Sequence, residues 1–374
     1  MVRAVPFSTD GRLSRGVRTM PVILSAAHAS PPHAIPQDFL KVAVGRMYSG
    51  KIPEQDIHRI HEVFDHSRIR ERAFMMPLDW YLSPRTPEER NRVHREKGLE
   101  LLLRASRACL DAAGCGPEQV GHVIFVTTTG LSTPSLESHL INELGMSRNA
   151  TRLPMWGMGC CAGAAGIARA TDYCLAHPEG IVLVTALETC SLNFVPEDLS
   201  RKNLVAMSLF ADCCAAAIVA GDAAAKGKAA GPRIVAARSH LFPDSAGIAG
   251  WDVTGRGFRL VLSPEVPEII KRELGGLLDA LLLPHGLQRS DLVHYIIHPG
   301  GAKVLDAMKE ALGLSNGELR VSEEVLRDFG NVSSVSVLLV LERWMAGEGS
   351  RTPGYGVLAS FGPGFSSELV LVRT

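Results

Sequence analysis

Two stretches of this chain repeat one pattern. LLLRASRACLDAAGCGPEQVGHVIF, ending at Phe125, and RELGGLLDALLLPHGLQRSDLVHYII, ending at Ile297, each read as a helix, a short polar turn and a buried strand, with His122 and His294 at matching places. Such a duplication confines the chain to folds made of two similar α/β units. At 374 residues, 46% of them hydrophobic, the chain can bury a deep core. The surrounding periodicity agrees. Helices are expected from Thr86 to Ala113, Pro134 to Leu144, Cys160 to Ala176, Arg272 to Leu283, Ala302 to Leu312 and Val335 to Ala346. Strands are expected over Val120–Thr127, Ile181–Ala186, Ala215–Ala220, Leu292–Ile297 and Gly356–Phe361. The polar, Ala-rich stretch Gly221–Lys228 places the divide near residue 230, between an N-terminal half over 21–230 and a C-terminal half over 231–374. Residues 1–20 carry Arg3, Arg12, Arg15 and Arg18 with no apolar run behind them, and read as a loose tail rather than a signal peptide.

The charge balance removes some functions. Lys plus Arg and Asp plus Glu are both 39, so no global basic field exists for nucleic acid or an anionic membrane. No apolar run has the 18 or so residues of a membrane span, and stable membrane insertion is not expected. The eight cysteines show neither CxxC pairing nor small-domain density. Most sit among apolar residues, as thiols of a cytoplasmic protein do.

The repeat directs attention to the junctions that follow its strands. His122 and Cys160 are 38 positions apart, His294 and Asn331 are 37 apart, and each half thereby places a polar residue preceded by glycine at a similar point. Cys160, in Gly159-Cys160-Cys161-Ala162-Gly163, begins a helix of small residues, where helix-terminal N–H groups stabilise a thiolate. From this segment alone, a reactive thiol and one more buried small residue are equally good readings. His298 ends a buried strand and is followed by Pro299-Gly300-Gly301, an arrangement that suits a reactive group better than a core histidine. Asn331 and Ser333 in Gly330-Asn331-Val332-Ser333-Ser334 are by themselves ordinary helix-capping residues, and Gly362-Pro363-Gly364 is by itself a tight turn.

Taken together, these segments resemble the thiolase superfamily and, within it, the type III polyketide synthases, the chalcone-synthase-like enzymes. The likeness spans roughly residues 20–374 and includes Phe210 in Leu209-Phe210-Ala211-Asp212 and Phe258 in GRGFRL, which match the family's two gatekeeping phenylalanines. The resemblance implies a duplicated α-β-α-β-α layered fold and a homodimer. It assigns Cys160 rather than Cys161 as the acyl-carrying nucleophile, with His298 as its ion-pair partner, and has His298 and Asn331 act on malonyl-CoA. It requires no metal and no cofactor beyond the CoA substrates. By motif register it places Thr128, Thr133, Cys190, Asn193, Ala249 and Ser333 on the substrate cavity, together with Gly300, Gly301, Gly362, Pro363 and Gly364.

The chain departs from the plant members where they hold CoA phosphates. Arg59, Glu62 and His66 stand at those places, so Arg59 alone keeps a permanent charge. Arg68, Arg70 and Arg72 are either substitutes for the missing cations or a solvated face. The small cavity residues, with TTTGLSTPSLES and WGMGCCAG, look more like the bacterial alkylpyrone and alkylresorcinol synthases, which implies a fatty acyl-CoA starter extended with malonyl-CoA. The alternatives are a ketoacyl-ACP synthase III-type enzyme making one condensation and a non-catalytic scaffold of the same fold. Repeated extension of one starter distinguishes the first, and a hyper-reactive thiol the second.

Overall fold

In chain order the strands are β1 (Val22–Ala29), β2 (His33–Pro36), β3 (Glu71–Phe74), β4 (His122–Thr127), β5 (Thr151–Trp156), β6 (Ile181–Thr189), β7 (Asp212–Ala220), β8 (Arg233–Leu241), β9 (Ala249–Thr254), β10 (Gly257–Leu262), β11 (Leu292–Ile297), β12 (Tyr355–Gly362) and β13 (Ser366–Arg373). The helices are α1 (Gln37–Tyr48), α2 (Glu54–Asp65), α3 (Leu78–Tyr81), α4 (Pro87–Ala113), α5 (Leu136–Leu144), α6 (Ala162–Ala176), α7 (Arg201–Leu209), α8 (Val266–Leu282), α9 (Ala302–Leu312), α10 (Arg320–Phe329) and α11 (Val335–Ala346). This computed structural model describes residues 20–374 except 196, 197, 199, 229, 230, 256, 316 and 348–350. The loose tail expected over 1–20 therefore lies, Met20 apart, outside the described residues, and the divide expected near 230 falls beside two others that do.

Nine strands form one mixed sheet in the order β11-β12-β13-β8-β1-β7-β6-β4-β5. From its centre the order runs β1, β7, β6, β4 on one side and β8, β13, β12, β11 on the other. The pairing senses match step for step, two antiparallel pairs and then a parallel one. The duplicated sequence is thus a duplicated topology. The halves join where β1 meets β8, through Ile23 N–H to the Pro232 carbonyl at 3.0 Å and Ile234 N–H to the Pro21 carbonyl at 2.7 Å.

Helices α6 and α11 form the middle layer. α6 packs on β4 and β6 of one half and on β12 and β13 of the other, and α11 likewise touches β1, β7, β11 and β12. Small residues allow this. A side chain at Gly163 would stand 2.2 Å from the Ser334 carbonyl oxygen, so the two helix starts touch through backbone. Outside lie α4 and α5 on one half-sheet and α8 and α9 on the other, completing the α-β-α-β-α layering. No helix of the described residues is long and apolar enough to cross a membrane.

Local signals set some helix ends. α4 opens with a capping box, Thr86 accepting from Glu89 N–H at 3.1 Å and Glu89 from Thr86 N–H at 2.9 Å, and closes at Gly114 with φ 59°. α5 starts two residues later than Pro134, with Ser135 at the N-cap position, and closes at Gly145 with φ 66°. α8 starts six residues before Arg272, with Pro267 tolerated in its first turn. Gly159–Cys161 is a 3₁₀ turn, so the α-helix proper begins at Ala162. The β9–β10 hairpin, unforeseen from sequence, carries Ala249 and Phe258.

His94 of α4 is buried, with Nδ1 2.9 Å from Thr189 Oγ1, and burial pushes its pKa down to about 4. It folds as a neutral ring, whereas the unfolded chain takes up a proton near pH 6.5. Its contribution is therefore complete above about pH 6.5 and is lost as pH falls through 4. We expect the stability gap between wild type and His94→Gln, measured by denaturant titration, to narrow by about 3 kcal/mol from pH 7 to pH 4. A gap independent of pH would count against a buried neutral His94.

Candidate active site

The 3₁₀ turn carrying Cys160 is held from both halves. Gly159 N–H donates to Thr128 Oγ1 at 3.0 Å, and the Pro363 ring lies where a side chain on Gly159 would be. Of the eight cysteines, all free, Cys160 alone is not fully buried. Its Sγ is 3.8 Å from Ser333 Oγ. Ser333 itself has φ 50°, a conformation that costs a non-glycine residue of order 1 kcal/mol or more and that tends to occur at functional sites.

Cys161 faces away. Its Sγ donates to the Ser366 carbonyl at 3.1 Å, and burial raises its pKa. The arrangement therefore leaves Cys160 as the accessible member of the pair.

Asn331 is fixed at both ends of its amide. Oδ1 accepts from Ser333 N–H at 2.8 Å, and Nδ2 donates to the Gly300 carbonyl at 3.0 Å. The second Nδ2 proton is left for another acceptor, and the amide lies near enough to Cys160 to lower its pKa. His298 directly follows β11, its N–H donating to the Ala359 carbonyl at 2.9 Å. Its Nδ1 is buried with no hydrogen-bond partner among the described residues.

Electrostatics correct one expectation. Helix-terminal N–H groups lead one to expect a depressed thiol pKa, yet burial pushes Cys160 up to about 12, the Ser333 hydroxyl opposing and Glu188 reinforcing it. Burial pushes His298 down to about 3. The free site holds a neutral thiol and a neutral imidazole, and no hydrogen bond joins them among the described residues. A standing ion pair is not what this geometry contains, because desolvation penalises both charges.

Sequence reasoning missed Glu188. It is buried at the end of β6 and accepts from Thr128 N–H at 3.0 Å, Thr129 Oγ1 at 2.8 Å and Ser334 Oγ at 2.6 Å. It ties the Cys160 side of the site to the segment that carries Asn331. Burial raises its pKa, with these hydrogen bonds opposing. An acid inside the apolar run IVLVTALET was the available signal. Trp251 on β9 was also missed. It lies between Phe210 and Phe258, at ring distances of 6.3 and 6.5 Å.

The remaining expected residues divide into two groups. Cys190 is buried beside Phe210 and Ala206. Asn193 donates to the Thr129 carbonyl at 2.9 Å. Ala249 opens β9, whose next residue, Gly250, faces Pro363. Gly301 lies beside Leu209, and Gly362 and Gly364 flank Pro363 at the end of β12. Thr133 is exposed on the loop before α5. Arg59, Glu62 and His66 are exposed on or next to α2, with Arg59 paired to Asp56 at 2.7 Å.

The basic run after α2 is neither a uniform solvated face nor a set of three spare cations. Arg68 is bound by Asp306 through both its terminal nitrogens at 2.8 Å, Arg70 pairs with Asp328 at 3.3 Å, and Arg72 is buried. Strict alternation would put all three arginines on one face; the phase instead shifts between Ile69 and β3, whose inward positions are Arg72 and Phe74.

Residues 12–223 match the family model described as chalcone and stilbene synthases, N-terminal domain, and residues 233–374 the corresponding C-terminal domain. A protein of Bacillus subtilis (strain 168) that bears a provisional chalcone synthase name is 38% identical over 361 residues, covering 94% of this chain and 98% of that one. The 1,3,6,8-tetrahydroxynaphthalene synthase of Streptomyces peucetius subsp. caesius is 36% identical over 352 residues, covering 94% and 92%. The crystal structure of the synthase of the same name from Streptomyces coelicolor A3(2), described as a bacterial type III polyketide synthase, superimposes with a TM-score of 0.89 at 31% identity over 94% of this chain and 99% of that one.

Proposed function

Since the chain belongs to the chalcone and stilbene synthase family, and so is a type III polyketide synthase that condenses malonyl-CoA, we propose that Cys160 carries a fatty acyl chain through repeated extension. In this reading Cys160 Sγ attacks the acyl-CoA carbonyl, its proton passes to the neutral His298 ring and from there to the departing CoA sulfur, and CoA leaves as the thiol. Malonyl-CoA then loses CO₂, and the resulting enolate carbon attacks the acyl thioester, giving a β-ketoacyl-CoA and a Cys160 thiolate that takes a proton from solvent. The β-ketoacyl group is transferred back to Cys160, with CoA leaving, before the next extension. His298 and the free Nδ2 proton of Asn331 stabilise the enolate oxygen. Cyclisation of the extended chain gives alkyl α-pyrones or alkylresorcinols.

One observation carries the choice of starter. A mostly apolar pocket is lined by Leu40, Val44, Phe74 and Met207 together with Arg72, and Phe194 belongs both to its wall and to the cluster around Cys190 and Phe210. An alkyl chain gains about 0.8 kcal/mol per buried CH₂, so passage of the chain past Phe194 into this pocket favours longer starters. A second reading, a compact pocket for a small starter, is favoured by the tetrahydroxynaphthalene product in a relative's name. Product analysis with acyl-CoAs of graded length plus malonyl-CoA decides between them. We expect wild type to prefer medium to long chains, and Cys190→Phe or Ala249→Phe to shorten the accepted starter while malonyl-CoA decarboxylation survives. A wild type that takes malonyl-CoA as its best starter, or an unchanged preference in both variants, rules out the tunnel.

The proposed assembly is a homodimer through the half bearing Cys160. Its β5 is a sheet edge whose Trp156 is 47% exposed, close to the 49% exposed Leu131 whose loop it joins through a hydrogen bond to the Gly130 carbonyl. Eight free thiols fit a cytoplasmic site of action. Arg59 is the remaining charged candidate for CoA phosphates.

A further inference from the structure

Arg72, which also lines the pocket proposed for the acyl chain, is a buried charge that takes part in no step of the proposed chemistry. It is 1% exposed, and a guanidinium out of water persists only where its donors and charge are answered. Its Nη1 donates to the Phe210 carbonyl at 2.6 Å and its Nε to Gln37 Oε1 at 2.9 Å, and its plane lies 5.8 and 5.3 Å from the ring centres of Phe64 and Phe74. Gln37 in turn donates to the Ser208 carbonyl at 2.8 Å. Asp212, whose pKa burial raises to about 7, lies close enough to act on Arg72 and accepts from Met75 N–H and Ser191 N–H, each at 2.8 Å. Residues 208–212 are thus held from the β3 side at three points.

The same segment carries the Asn331 turn. Ala211 N–H donates to the Asn331 carbonyl at 3.0 Å and Asn331 N–H to the Leu209 carbonyl at 2.9 Å, so Phe210 and Asn331 move as one unit. A side chain on Gly330, whose φ is 70°, would stand 2.9 Å from Arg72 Cδ. The arginine stem therefore forms the floor of the turn that presents Asn331.

We infer that Arg72 is a positioning residue for the extension step, holding the Phe210 peptide and the Gly330–Asn331 turn together so that gate and amide donor keep a fixed relation to Cys160. The inference rests on the site reading proposed above. Its test uses the full chain, malonyl-CoA decarboxylation, alkylation of Cys160 by iodoacetamide, and thermal melting. Arg72→Met should lower kcat for decarboxylation about tenfold to 10²-fold, as sub-ångström to ångström displacement of a donor does. KM for malonyl-CoA should stay within about twofold, the mark of an interaction expressed mainly in the transition state. Alkylation should be unchanged, and Arg72→Lys should recover much of kcat because an ammonium can still donate to the Phe210 carbonyl.

A merely structural arginine gives a different result, in which alkylation and decarboxylation fall together with the folded fraction and kcat per folded site stays at the wild-type value. That result overturns the inference. If Arg72→Met is not recovered folded, Gln37→Met decides, since a fall in kcat with KM and alkylation kept supports the inference and a wild-type kcat overturns it. An Asn331→Ala variant that decarboxylates unimpaired defeats the site reading itself, whereas an impaired Asn331→Ala beside an unimpaired Arg72→Met defeats this inference alone.

Discussion

Replacing Cys160 with alanine is expected to remove the acyl-enzyme and to lower polyketide formation by on the order of 10⁴-fold or more, the scale on which nucleophile deletions act. Intact-mass measurement after incubation with an acyl-CoA should show one added acyl group on wild type and on Cys161→Ala, and none on Cys160→Ala. Cys160 retains exposure and faces Ser333, whereas Cys161 is enclosed and spends its S–H on the Ser366 carbonyl. Because the decarboxylation donors sit on the other half of the chain, Cys160→Ala should still release CO₂ from malonyl-CoA. Loading of Cys160→Ala, or its loss in Cys161→Ala, would reverse the assignment.

Asn331→Ala should slow malonyl-CoA decarboxylation by about 10²–10³-fold, the cost of deleting one preorganised oxyanion donor. The side chain is suited to that role because Ser333 N–H and the Gly300 carbonyl fix its amide, so little reorganisation is needed when charge develops. His298 adds a second donor only as long as it carries an N–H, which a neutral ring does. With its pKa held near 3 by burial, the ring stays neutral from about pH 5 to pH 8, and the decarboxylation rate should be flat over that range. A rate that rises or falls with an inflection near pH 6.5 would mean that the ring titrates as in water. Unimpaired decarboxylation by Asn331→Ala would remove the amide from the mechanism.

Neighbouring residues in the chain suffice to specify a glycine-flanked strand-to-helix junction. For that reason Cys160, His298 and Asn331 were legible as candidates, and the repeat around His122 and His294 already implied two units with the same strand order. The capping box of Thr86 and Glu89 shows the same locality in α4. Partners far away in the chain set everything that depends on burial. Glu188 reads as an oddity in an apolar strand until Ser334, 146 positions later, donates to it. The helix-end rule for Cys160 was sound as a local statement and gave the wrong sign, because packing of the second half over the sulfur desolvates it more than the turn's N–H groups stabilise a thiolate.

Arg72 shows the division most plainly. SRIRER, read as a string, offers three equivalent arginines, and its alternation alone does not say which side faces water. The sequence by itself determined a duplicated α/β chain with a thiol, an imidazole and an amide at glycine-flanked junctions, and the family resemblance supplied their expected roles. Only the tertiary structure decided that Arg72 points inward to the Phe210 carbonyl, that Trp251 stands between Phe210 and Phe258, and that thiol and imidazole rest uncharged. The physical reason is that conformation at a junction is a short-range property of φ, ψ and capping, whereas solvation of a charge depends on every atom packed around it.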